Sequence, residues 1–347
     1  MARHVAILGA GPAGLAAAVC LQRLGISYEL LERGTAAGAG LRRVDPKMEI
    51  LSPTRLSLMP GMPRHASDPP YLTFPAYVGK LERLAAEHRI AVRTGAEVSH
   101  VTRSDHGFLV HLRAGMALDC THVINATGIV SFPRLPPRFD GAAAPYRWLH
   151  SIDVRTSDLA GARRLLVVGG GQSAAEVLER WLAHRQDGAR AWLSVRAHTR
   201  TLPHWIFGID VHYLAWAFEF LPPPWLGLDP ATFREPVLGL TVPRALRAGV
   251  IERVPEIRDY ARPESVTENG APLDPDLVVF ATGFEYALEH VRDLIGAARW
   301  PRVRRCESVD SPGLHFLGLR HCRTLASAYL RGIARDVRAV AARIARS

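Results

Sequence analysis

The stretch HVAILGAGPAGLAAAVCLQRLGISYELLE, residues 4–32, contains the pattern that determines the fold. It opens with an apolar strand, His4–Leu8, and the glycine-rich turn Gly9–Gly14 follows without a gap. Leu15–Leu24 has the small and apolar residues of a buried helix, and a second strand, Tyr28–Glu32, ends on an acid. Strand, G-x-G-x-x-G turn, helix, strand and acid in this order predict a Rossmann-type dinucleotide-binding unit.

Each element of that pattern has a physical task. The first glycine allows a tight turn, the second lets the backbone approach a pyrophosphate, and the third lets the helix pack closely on the strand. The free N–H groups and positive dipole end of the helix favour phosphates, and Glu32 can accept hydrogen bonds from a ribose. The candidate residues of this first nucleotide site are Gly9, Gly11, Pro12, Ala13, Gly14 and Glu32.

The same pattern occurs a second time in the chain. A strand at Arg164–Val168 precedes Gly-Gly-Gly-Gln-Ser-Ala at 169–174, a helix from about Ala175 to His184, and a strand at Ala191–Val195. Here no acid ends the second strand, and a cation, Arg196, follows it. A carboxylate suits a free ribose 2′-hydroxyl, whereas a cation suits a 2′-phosphate. The first site therefore fits FAD or NAD, and the second fits NADPH.

The candidate residues of this second site are Gly169, Gly171, Gln172, Ser173 and Arg196, with His198 as a further cation near the phosphate. The alternative interpretation of Arg196 is one more solvated arginine among many. A second repeated element is Ala-Thr-Gly at a strand end, at Ala126, Thr127 and Gly128 and again at Ala281, Thr282 and Gly283. Small residues let a chain cross beside a bound cofactor, so the two copies predict crossings between two nucleotide domains.

Composition removes several classes of function. The chain has 347 residues, which suits two domains, and its 43 basic and 33 acidic residues give a net charge of +10. Lys47 and Lys80 are its lysines and the arginines are spread along the chain, so no basic block interleaved with aromatics predicts nucleic-acid binding. The four cysteines, Cys20, Cys120, Cys306 and Cys322, form no C-x-x-C pair. We expect reduced, buried thiols in a cytoplasmic protein with no metal site.

Hydropathy gives one misleading signal. Val5–Leu21 is apolar, follows Arg3 and resembles a secretion signal that ends at Cys20. Val19 stands where cleavage needs a small residue, and three glycines and a proline interrupt the run. No other stretch has the roughly 18 uninterrupted apolar residues of a membrane helix, so we expect no transmembrane segment.

Together these motifs resemble those of the flavin-containing monooxygenase-like (class B-type) flavoproteins, in particular the small bacterial members of about this length. The resemblance covers nearly the whole chain. It rests on Gly9–Gly14 with Glu32, Leu51–Pro53, Pro60–Pro63, Gly95–Val98, Ala126–Gly128 with Pro133, His150 with Ser151, Gly169–Ala174 with Arg196, Ala281–Phe284, Pro312–Gly318, and Arg323 with Thr324.

The resemblance implies an α/β fold of two Rossmann-like dinucleotide-binding domains, with the NADPH domain inserted in the FAD domain. We expect the FAD domain at 1–157 and 275–347 and the NADPH domain at 158–274. The strand at Leu277–Phe280 then returns to the first sheet. A helix from about Ala326 to Ala345 covers the flavin site, and its N-terminus would stabilise negative charge on reduced flavin.

The resemblance also implies contacts with the cofactors that spacing alone does not give. FAD contacts are expected at Arg33 and Leu41, and at the backbone of Val98 near the adenine. The first Ala-Thr-Gly is expected to touch FAD as well, and Arg323 and Thr324 would lie beside the isoalloxazine.

The sequence departs from the monooxygenase pattern F-x-G-x-x-x-H at one place. His150 and Ser151 remain, but Ala144 and Tyr146 replace the Phe and Gly, and Val154 stands four residues after the histidine. Neither an N/S-oxygenase nor a Baeyer–Villiger signature is intact. His150 is either a hinge residue near NADPH or a hydrogen-bonded linker histidine, and both interpretations stay open.

Near the expected flavin, Ser52 stands before Pro53 where many related oxygenases have an asparagine. One interpretation is a hydroxyl donor at the flavin's reactive face, and the other is a simple turn. Ser52 and His150 are therefore the candidate catalytic residues.

The segment from His204 to Pro243 inside the second domain is rich in aromatic residues. One interpretation is an apolar substrate entrance or membrane-surface contact. The other is a helical cover packed on the domain or against a second subunit, which would make a homodimer. The aromatic residues are Trp205, Phe207, Tyr213, Trp216, Phe218, Phe220 and Trp225.

The function implied by the resemblance is an FAD- and NADPH-dependent monooxygenase. It would oxygenate a nitrogen, sulfur or carbonyl centre of a small molecule with molecular oxygen, through a flavin C4a-(hydro)peroxide. In such chemistry the cofactor performs the difficult step and the protein orients the reactants and excludes water. Two alternatives are an NAD(P)H-dependent flavin reductase that passes electrons to a protein or quinone, and a nucleotide-binding flavoprotein without turnover.

Overall fold

The computed structural model describes residues 4–130, 132–137, 139–142, 144–196, 200–221, 235–257, 273–296 and 300–347. The strands are β1 (His4–Leu8), β2 (Ser27–Leu31), β3 (Val92–Arg93), β4 (Val98–Ser104), β5 (Gly107–Leu112), β6 (Ala117–Cys120), β7 (His122–Asn125), β8 (Phe132–Pro133), β9 (Arg147–His150), β10 (Arg164–Val168), β11 (Arg190–Ser194), β12 (Thr201–Leu202), β13 (Trp205–Ile206), β14 (Ile209–Asp210), β15 (Val237–Leu238), β16 (Ile251–Val254), β17 (Leu277–Phe280), β18 (Phe284–Glu285), β19 (Val303–Arg304), β20 (Glu307–Ser308) and β21 (Leu314–Phe316).

Eight α-helices are found in these residues, with three short 3-10 helices at Ala39–Arg43, Glu289–Leu294 and Leu325–Ala328. The α-helices are α1 (Pro12–Arg23), α2 (Thr54–Ser57), α3 (Phe74–Glu87), α4 (Thr156–Gly161), α5 (Gln172–His184), α6 (Val211–Glu219), α7 (Thr241–Arg247) and α8 (Leu330–Ile344). Among the described residues, no helix is long and apolar enough to span a membrane.

Two parallel sheets organise the molecule. The first has seven strands in the order β19-β20-β21-β7-β1-β2-β3, of which β21 to β3 run parallel. The second has five parallel strands in the order β16-β11-β10-β17-β9. When the two glycine motifs are aligned, β3-β2-β1-β7-β21 corresponds to β16-β11-β10-β17-β9. The repeat in the sequence is therefore a repeat of a Rossmann-type sheet.

The apolar pattern of each half explains this arrangement, where the first half is the seven-stranded sheet with the elements packed on it and the second half is the five-stranded sheet with its own. Strand β1 is buried from Val5 to Leu8, and helix α1 is buried from Ala13 to Leu21, because α8 packs against its other side. Parallel strands are covered on both faces, so they read as continuous apolar runs rather than alternating ones. The second sheet is surrounded by its own buried clusters, one of which contains Trp181, so the chain has a separate core for each half.

The strand β17, Leu277–Phe280, is not where the sequence analysis put it. It pairs in parallel with β10 on one side and with β9 on the other, so it is a central strand of the second sheet. The prediction that it returns to the first sheet is wrong. All four of its residues are buried, which suits a central strand, and it occupies the position that β7 has in the first sheet. The domain limits at 157/158 and 274/275 stay a prediction, and the pairing of β9 and β17 argues for moving both outward.

The two chain segments between the halves lie side by side. Each Ala-Thr-Gly leads into a short strand, β8 in one case and β18 in the other, and these two strands pair antiparallel. The predicted C-terminal helix is also divided, because the 3-10 turn Leu325–Ala328 is separated from α8 by the extended residue Tyr329.

Candidate functional site

The first glycine turn is held against the first Ala-Thr-Gly by backbone contacts. Gly9 has φ of 101°, and a Cβ there would lie 2.8 Å from the carbonyl oxygen of Ala126. Its N–H donates to Leu31 O at 2.7 Å, and the Ala126 N–H donates to Leu8 O at 2.9 Å. A Cβ on Gly14 would lie 1.9 Å from Gly9 O. Both glycines are therefore required by close backbone approach, as the sequence predicted.

Glu32 supports this turn directly. One carboxylate oxygen accepts the N–H of Ala10 at 2.8 Å, and the other accepts the N–H of Gly34 at 2.7 Å. The acid therefore stands beside the glycine turn at the carboxyl edge of the sheet. This places it where a ribose hydroxyl next to the turn can reach it, with lone pairs to spare on both oxygens.

The second glycine turn repeats three of these contacts. Gly169 has φ of 127°, and a Cβ there would lie 2.2 Å from Ala281 O. Its N–H donates to Ser194 O at 3.0 Å, and the Ala281 N–H donates to Val168 O at 2.8 Å. Because Ser194 plays the part of Leu31, the position of Glu32 is taken in this half by Val195. The second site has no carboxylate at the ribose position.

The space in front of both turns is open. An added Cβ on Gly11 or on Gly171 would meet no atom within 4 Å, although their neighbours in the turns are tightly packed. Each of the two residues precedes the first residue of a long helix, α1 or α5. Free N–H groups and the positive end of a helix dipole therefore face an open cradle in each half, which fits a dinucleotide pyrophosphate.

Arg196 lies two residues past the end of β11, at the carboxyl edge of the second sheet. Its side chain is 70% exposed and forms an ion pair with Glu256, with Nε 2.6 Å from the carboxylate oxygen. An exposed pair of this kind is weak, so the guanidinium can exchange Glu256 for a stronger anion. His198, the further cation of the prediction, lies outside the described residues.

The remaining predicted residues of the second site surround its turn. Gln172 begins α5, and its side-chain oxygen accepts the N–H of Leu238 at 2.8 Å, which ties β15 to the turn. Ser173 follows it and is half-buried. The Thr282 hydroxyl donates to Arg134 O, and the N–H of Arg134 donates to Gly283 O at 2.9 Å. The second Ala-Thr-Gly thus fixes the start of the segment that leads into β18, one of the two linker segments between the halves.

Both ring nitrogens of His150 have hydrogen-bond partners. It ends β9, is 3% exposed, and its Nε2 lies 3.1 Å from Gly283 O, while Nδ1 accepts the N–H of Ile152 at 3.4 Å. Burial lowers the pKa of the ring. Because Nδ1 accepts an N–H and Nε2 lies beside a carbonyl oxygen, the ring proton of the neutral form is on Nε2 and neither nitrogen is available for proton transfer. The structure thus shows a hydrogen-bonded histidine, and its role as a hinge near NADPH stays a prediction.

Ser52 lies beside a buried arginine that the sequence analysis missed. The Ser52 hydroxyl oxygen accepts from Nη1 of Arg331 at 3.2 Å, and the same guanidinium holds the carboxylate of Glu219 through Nε and Nη2. Arg331 is 7% exposed and lies on α8, whereas Glu219 ends α6 of the second half. The guanidinium of Arg331 therefore links Ser52 in the first half to Glu219 in the second half. With Arg331 donating to its oxygen, the Ser52 hydroxyl has its own proton free to donate elsewhere.

The predicted flavin contacts at the C-terminal side, the exposed Arg323 and the buried Thr324, belong to a second hydrogen-bonded network. Arg323 lies 3.2 Å from a carboxylate oxygen of Asp336, and the backbone N–H groups of Arg323 and Thr324 donate to the Ser327 hydroxyl. Burial raises the pKa of Asp336. All four cysteines are buried and free, as expected. Their sequence spacing did not reveal that the thiols of Cys306 and Cys322 meet at this network, which together with burial raises the pKa of Cys306.

The other predicted FAD contacts lie on separate elements of the first half. Arg33 directly follows Glu32, and its guanidinium is 5.5 Å from the ring of Phe132 in β8. Leu41 lies in the 3-10 helix Ala39–Arg43, and Val98 begins β4. The structure shows where these residues are, and their roles stay predictions.

A second link between the halves was also missed from sequence. Asp45 is 2% exposed, and its carboxylate accepts from the N–H of Lys47 at 2.9 Å, the hydroxyl of Thr156 at 2.7 Å and Arg180 Nη1 at 2.9 Å. Burial alone would raise its pKa, but these donors lower it. Asp45 belongs to the first half and Arg180 to α5, so this carboxylate joins the halves on the side of the linker. Sequence offered no signal, because a buried ion pair looks like two surface residues.

The aromatic segment contains a third such link. The Asp210 carboxylate accepts from the Tyr71 hydroxyl, lies 3.1 Å from His204 Nε2 and lies 2.7 Å from His212 Nδ1. Asp210 and His212 are buried. Burial lowers the pKa of His212. Tyr71 comes from the first half, so the hairpin β13–β14 is anchored across the boundary.

A family model described as pyridine nucleotide-disulphide oxidoreductase matches residues 6–201, more than half of the chain. Indole-3-pyruvate monooxygenase YUCCA1 of Oryza sativa subsp. japonica is 27% identical over 315 residues, covering 80% of this chain and 76% of that protein.

Solved structures share the fold over the whole length. A mutant of the flavin monooxygenase from Stenotrophomonas maltophilia superposes with a TM-score of 0.81 at 23% identity, covering 100% of this chain and 99% of that one. The ornithine N-hydroxylase of Kutzneria sp. 744 gives 0.73 at 17% identity, covering 100% and 99%. The predicted α/β fold with two Rossmann-like domains, and the resemblance to flavin-containing monooxygenase-like flavoproteins, are confirmed.

Proposed function

The chain belongs to the pyridine nucleotide-disulphide oxidoreductase family, and we propose that it is an FAD-dependent oxidoreductase that acts as an NADPH monooxygenase. FAD is held at the first glycine turn and NADPH at the second. The substrates are a small molecule and molecular oxygen, and the oxygenated centre is a nitrogen, a sulfur or a carbonyl carbon. A cytoplasmic location and the domain limits, which we draw at about residues 146 and 284, belong to the same proposal.

The observation that carries the proposal is the matched pair of turns. Gly9 and Gly169 have the same backbone contacts, each beneath the carbonyl of its own Ala-Thr-Gly. Glu32 stands at the ribose position of one, and Val195 followed by Arg196 at the other. Two dinucleotide sites of opposite 2′ preference in one chain support transfer of reducing equivalents from NADPH to FAD.

Bound FAD supplies the reaction of its reduced form with oxygen. The chain's own residues bind, orient and exclude water around it. The open cradles at Gly11 and Gly171 hold the two pyrophosphates, and His150, through Gly283 O, fixes the linker between the two sites. Arg331 joins both halves over Ser52 and leaves the serine hydroxyl as a donor. Such fixed dipoles in a dry site are more effective than the same groups in water.

The substrate centre is the part of the proposal that needs experiment first. The plant relative mentioned above is an indole-3-pyruvate monooxygenase, and indole-3-pyruvate is a 2-oxo acid. A carbonyl centre is therefore our first choice for this chain. Thioethers and amines, which are nucleophiles rather than electrophiles, follow as the other substrate classes.

The test uses purified holoprotein, NADPH and oxygen labelled with ¹⁸O. We expect indole-3-pyruvate, a thioether or an amine to increase oxygen consumption and to yield a product with one labelled oxygen atom per NADPH oxidised. The flavin is first reduced with NADPH under anaerobic conditions, and oxygen is then added together with each substrate. Flavin that NADPH bleaches, followed by hydrogen peroxide as the sole oxygen product with every substrate, would contradict oxygenation and identify a reductase. Flavin that NADPH does not bleach would contradict both and leave a nucleotide-binding flavoprotein.

A further inference from the structure

Two histidines and an aspartate of the second half meet at the base of the hairpin β13–β14. They are His204, Asp210 and His212. Nε2 of His204 lies 3.1 Å from one carboxylate oxygen of Asp210, and Nδ1 of His212 lies 2.7 Å from the other. The cysteine pattern predicted no metal site, but imidazole and carboxylate groups are also common ligands of divalent transition metals.

The donor atoms of these three residues are close enough to share one ion. The two ring nitrogens and a carboxylate oxygen all lie within 4.8 Å of one another. Bonds of about 2.0–2.2 Å to Zn²⁺ hold two ligand atoms at most about 4.4 Å apart, so small side-chain rotations close the remaining gap. Three protein ligands leave a further coordination position for water.

The carboxylate of Asp210 has acceptor positions to spare for an ion. An ionised carboxylate has about four lone-pair positions. The Tyr71 hydroxyl donates to one oxygen, and the backbone N–H of His212 donates to the other at 2.7 Å. The positions that are left face the rings of His204 and His212. The two donors therefore orient the carboxylate towards the rings, as the outer hydrogen bonds of metal ligands do.

The three side chains differ in exposure in a way that suits an ion entering from solvent. The side chains of Asp210 and His212 are 1% and 6% exposed, whereas that of His204 is 25% exposed. An ion can therefore reach the buried atoms past His204. Burial lowers the pKa of His212, and a neutral imidazole is the form that binds metals.

The charges around the three side chains favour a cation. Besides Asp210, the carboxylates of Glu179 and Glu49 lie within electrostatic range of this group. The guanidinium of Arg331 opposes them, but Glu219 pairs with it and offsets its charge. Among these groups acidic charge exceeds basic charge, which lowers the energy of a bound divalent cation.

We propose that His204, Asp210 and His212 form a binding site for one divalent transition-metal ion of the zinc type. His212 lies in the first turn of α6, so a bound ion fixes the hairpin β13–β14 to that helix. Through the Tyr71 hydroxyl on Asp210 it also strengthens the link to the first half. The site lies apart from both glycine turns, and the proposal does not depend on the monooxygenase activity.

The test is isothermal titration calorimetry of the FAD-loaded protein with ZnCl₂ at neutral pH, after treatment with EDTA and dialysis to remove it. We expect one Zn²⁺ per chain with a dissociation constant of about 1 µM or lower. Mg²⁺ should not bind under the same conditions, because it prefers oxygen ligands.

A matched pair of variants locates the site. His204→Gln should weaken Zn²⁺ binding at least about 100-fold, since losing even an outer partner of a metal ligand costs about 10–100-fold. The glutamine amide can still donate a hydrogen bond to Asp210, so we expect an unchanged fold and flavin spectrum. His100→Gln is the control, because His100 and His111 are another pair of neighbouring histidines, with ring centroids 4.0 Å apart. It should leave Zn²⁺ binding unchanged.

Four results would overturn the proposal. They are a wild type that binds no stoichiometric Zn²⁺, binding that His204→Gln leaves unchanged, an equal loss in His100→Gln, and Mg²⁺ binding as tight as that of Zn²⁺. Calorimetry does not depend on turnover, so failure here and failure of the oxygenation test are distinguishable.

Discussion

The two glycine turns have the same backbone and different chemistry. In each, the first glycine lies under the carbonyl of an Ala-Thr-Gly, and its N–H donates to the last residue of the second strand. The ribose position then diverges, with Glu32 bonded to two backbone N–H groups in one half and Val195 in the other. Under the proposed function, we expect the shared backbone to position the pyrophosphate in each half, and the side chain at the ribose position to select the nucleotide.

The helices behind the turns differ as well. In the first, a Cβ on Gly14 would lie 1.9 Å from Gly9 O, whereas the second half accommodates Ala174. Two residues after Gly14, α1 has the buried Ala16, and the matching place in α5, two residues after Ala174, holds Glu176. Burial raises the pKa of Glu176 to about 7. The buried residues of α1, from Ala13 to Leu21, carry no ionisable carboxylate, whereas α5 carries Glu176.

The largest expected effect comes from filling one cradle at a time. Gly11 and Gly171 both have extended backbones that alanine adopts, with φ of −81° and −90°. Gly11→Ala should lower FAD affinity by at least about 100-fold, because the added methyl group occupies pyrophosphate space. Gly171→Ala should keep FAD and raise the KM for NADPH instead. Flavin content and steady-state kinetics measure both, and loss of FAD in both variants would show that the sites are wrongly assigned.

The next effect tests the acid of the first site. Glu32→Gln removes a charged acceptor from the N–H of Ala10 or Gly34. We expect FAD affinity to fall about 10–100-fold, since hydrogen bonds to charged groups contribute about 1.5–3 kcal/mol. Fluorescence titration of apoprotein with FAD measures it. Glu29→Gln is the control on the same strand, because Glu29 pairs with Arg93 away from the turn, and an equal loss there would remove the special role of Glu32.

A smaller effect tests the cation of the second site. Arg196→Ala should raise the KM for NADPH about five- to tenfold and leave the KM for NADH within about twofold, because only NADPH carries the 2′-phosphate. Glu256→Gln should lower the KM for NADPH, since it releases Arg196 from its partner. Steady-state kinetics with both nucleotides gives the ratios. Equal changes for the two nucleotides would show that Arg196 does not bind the phosphate.

The smallest effect concerns stability. The pKa of Glu176 is raised from 4.5 to about 7, so the folded state binds this proton more tightly than the unfolded state does. Stability from this group is therefore present below about pH 4.5 and is lost as pH rises to about 7. Glu176→Gln cannot ionise, so it should be more stable than the wild type at pH 8 and equal to it at pH 4.5.

Urea unfolding at the two pH values measures the difference. Glu87→Gln, at an exposed glutamate that ends α3, is the control and should change neither value. A Glu176→Gln variant that is less stable than the wild type at pH 8 would mean that the carboxylate is stabilised by Arg180 more than burial penalises it.

Local patterns predicted the parts of the site that depend on neighbours in sequence. Strand, turn and helix lie within a few residues at each glycine motif, so the requirement for Gly9, Gly14 and Gly169 followed from the pattern. The end of each strand was correct to within one residue or two, for example β2 at Leu31 against Glu32. The position of β17 was wrong because an apolar strand fits either sheet, and only pairing with β10 and β9 decides between them.

By itself the sequence determined two nucleotide-binding units, their turns and the difference between Glu32 and Arg196, because these depend on short-range spacing and on residue chemistry. Only the tertiary structure decided how the halves join. Arg331 with Glu219 and Ser52, Arg180 with Asp45, and Tyr71 with Asp210 are each far apart in the chain. A buried charge is tolerated only when a partner meets it in space, and no local pattern in the sequence records that meeting.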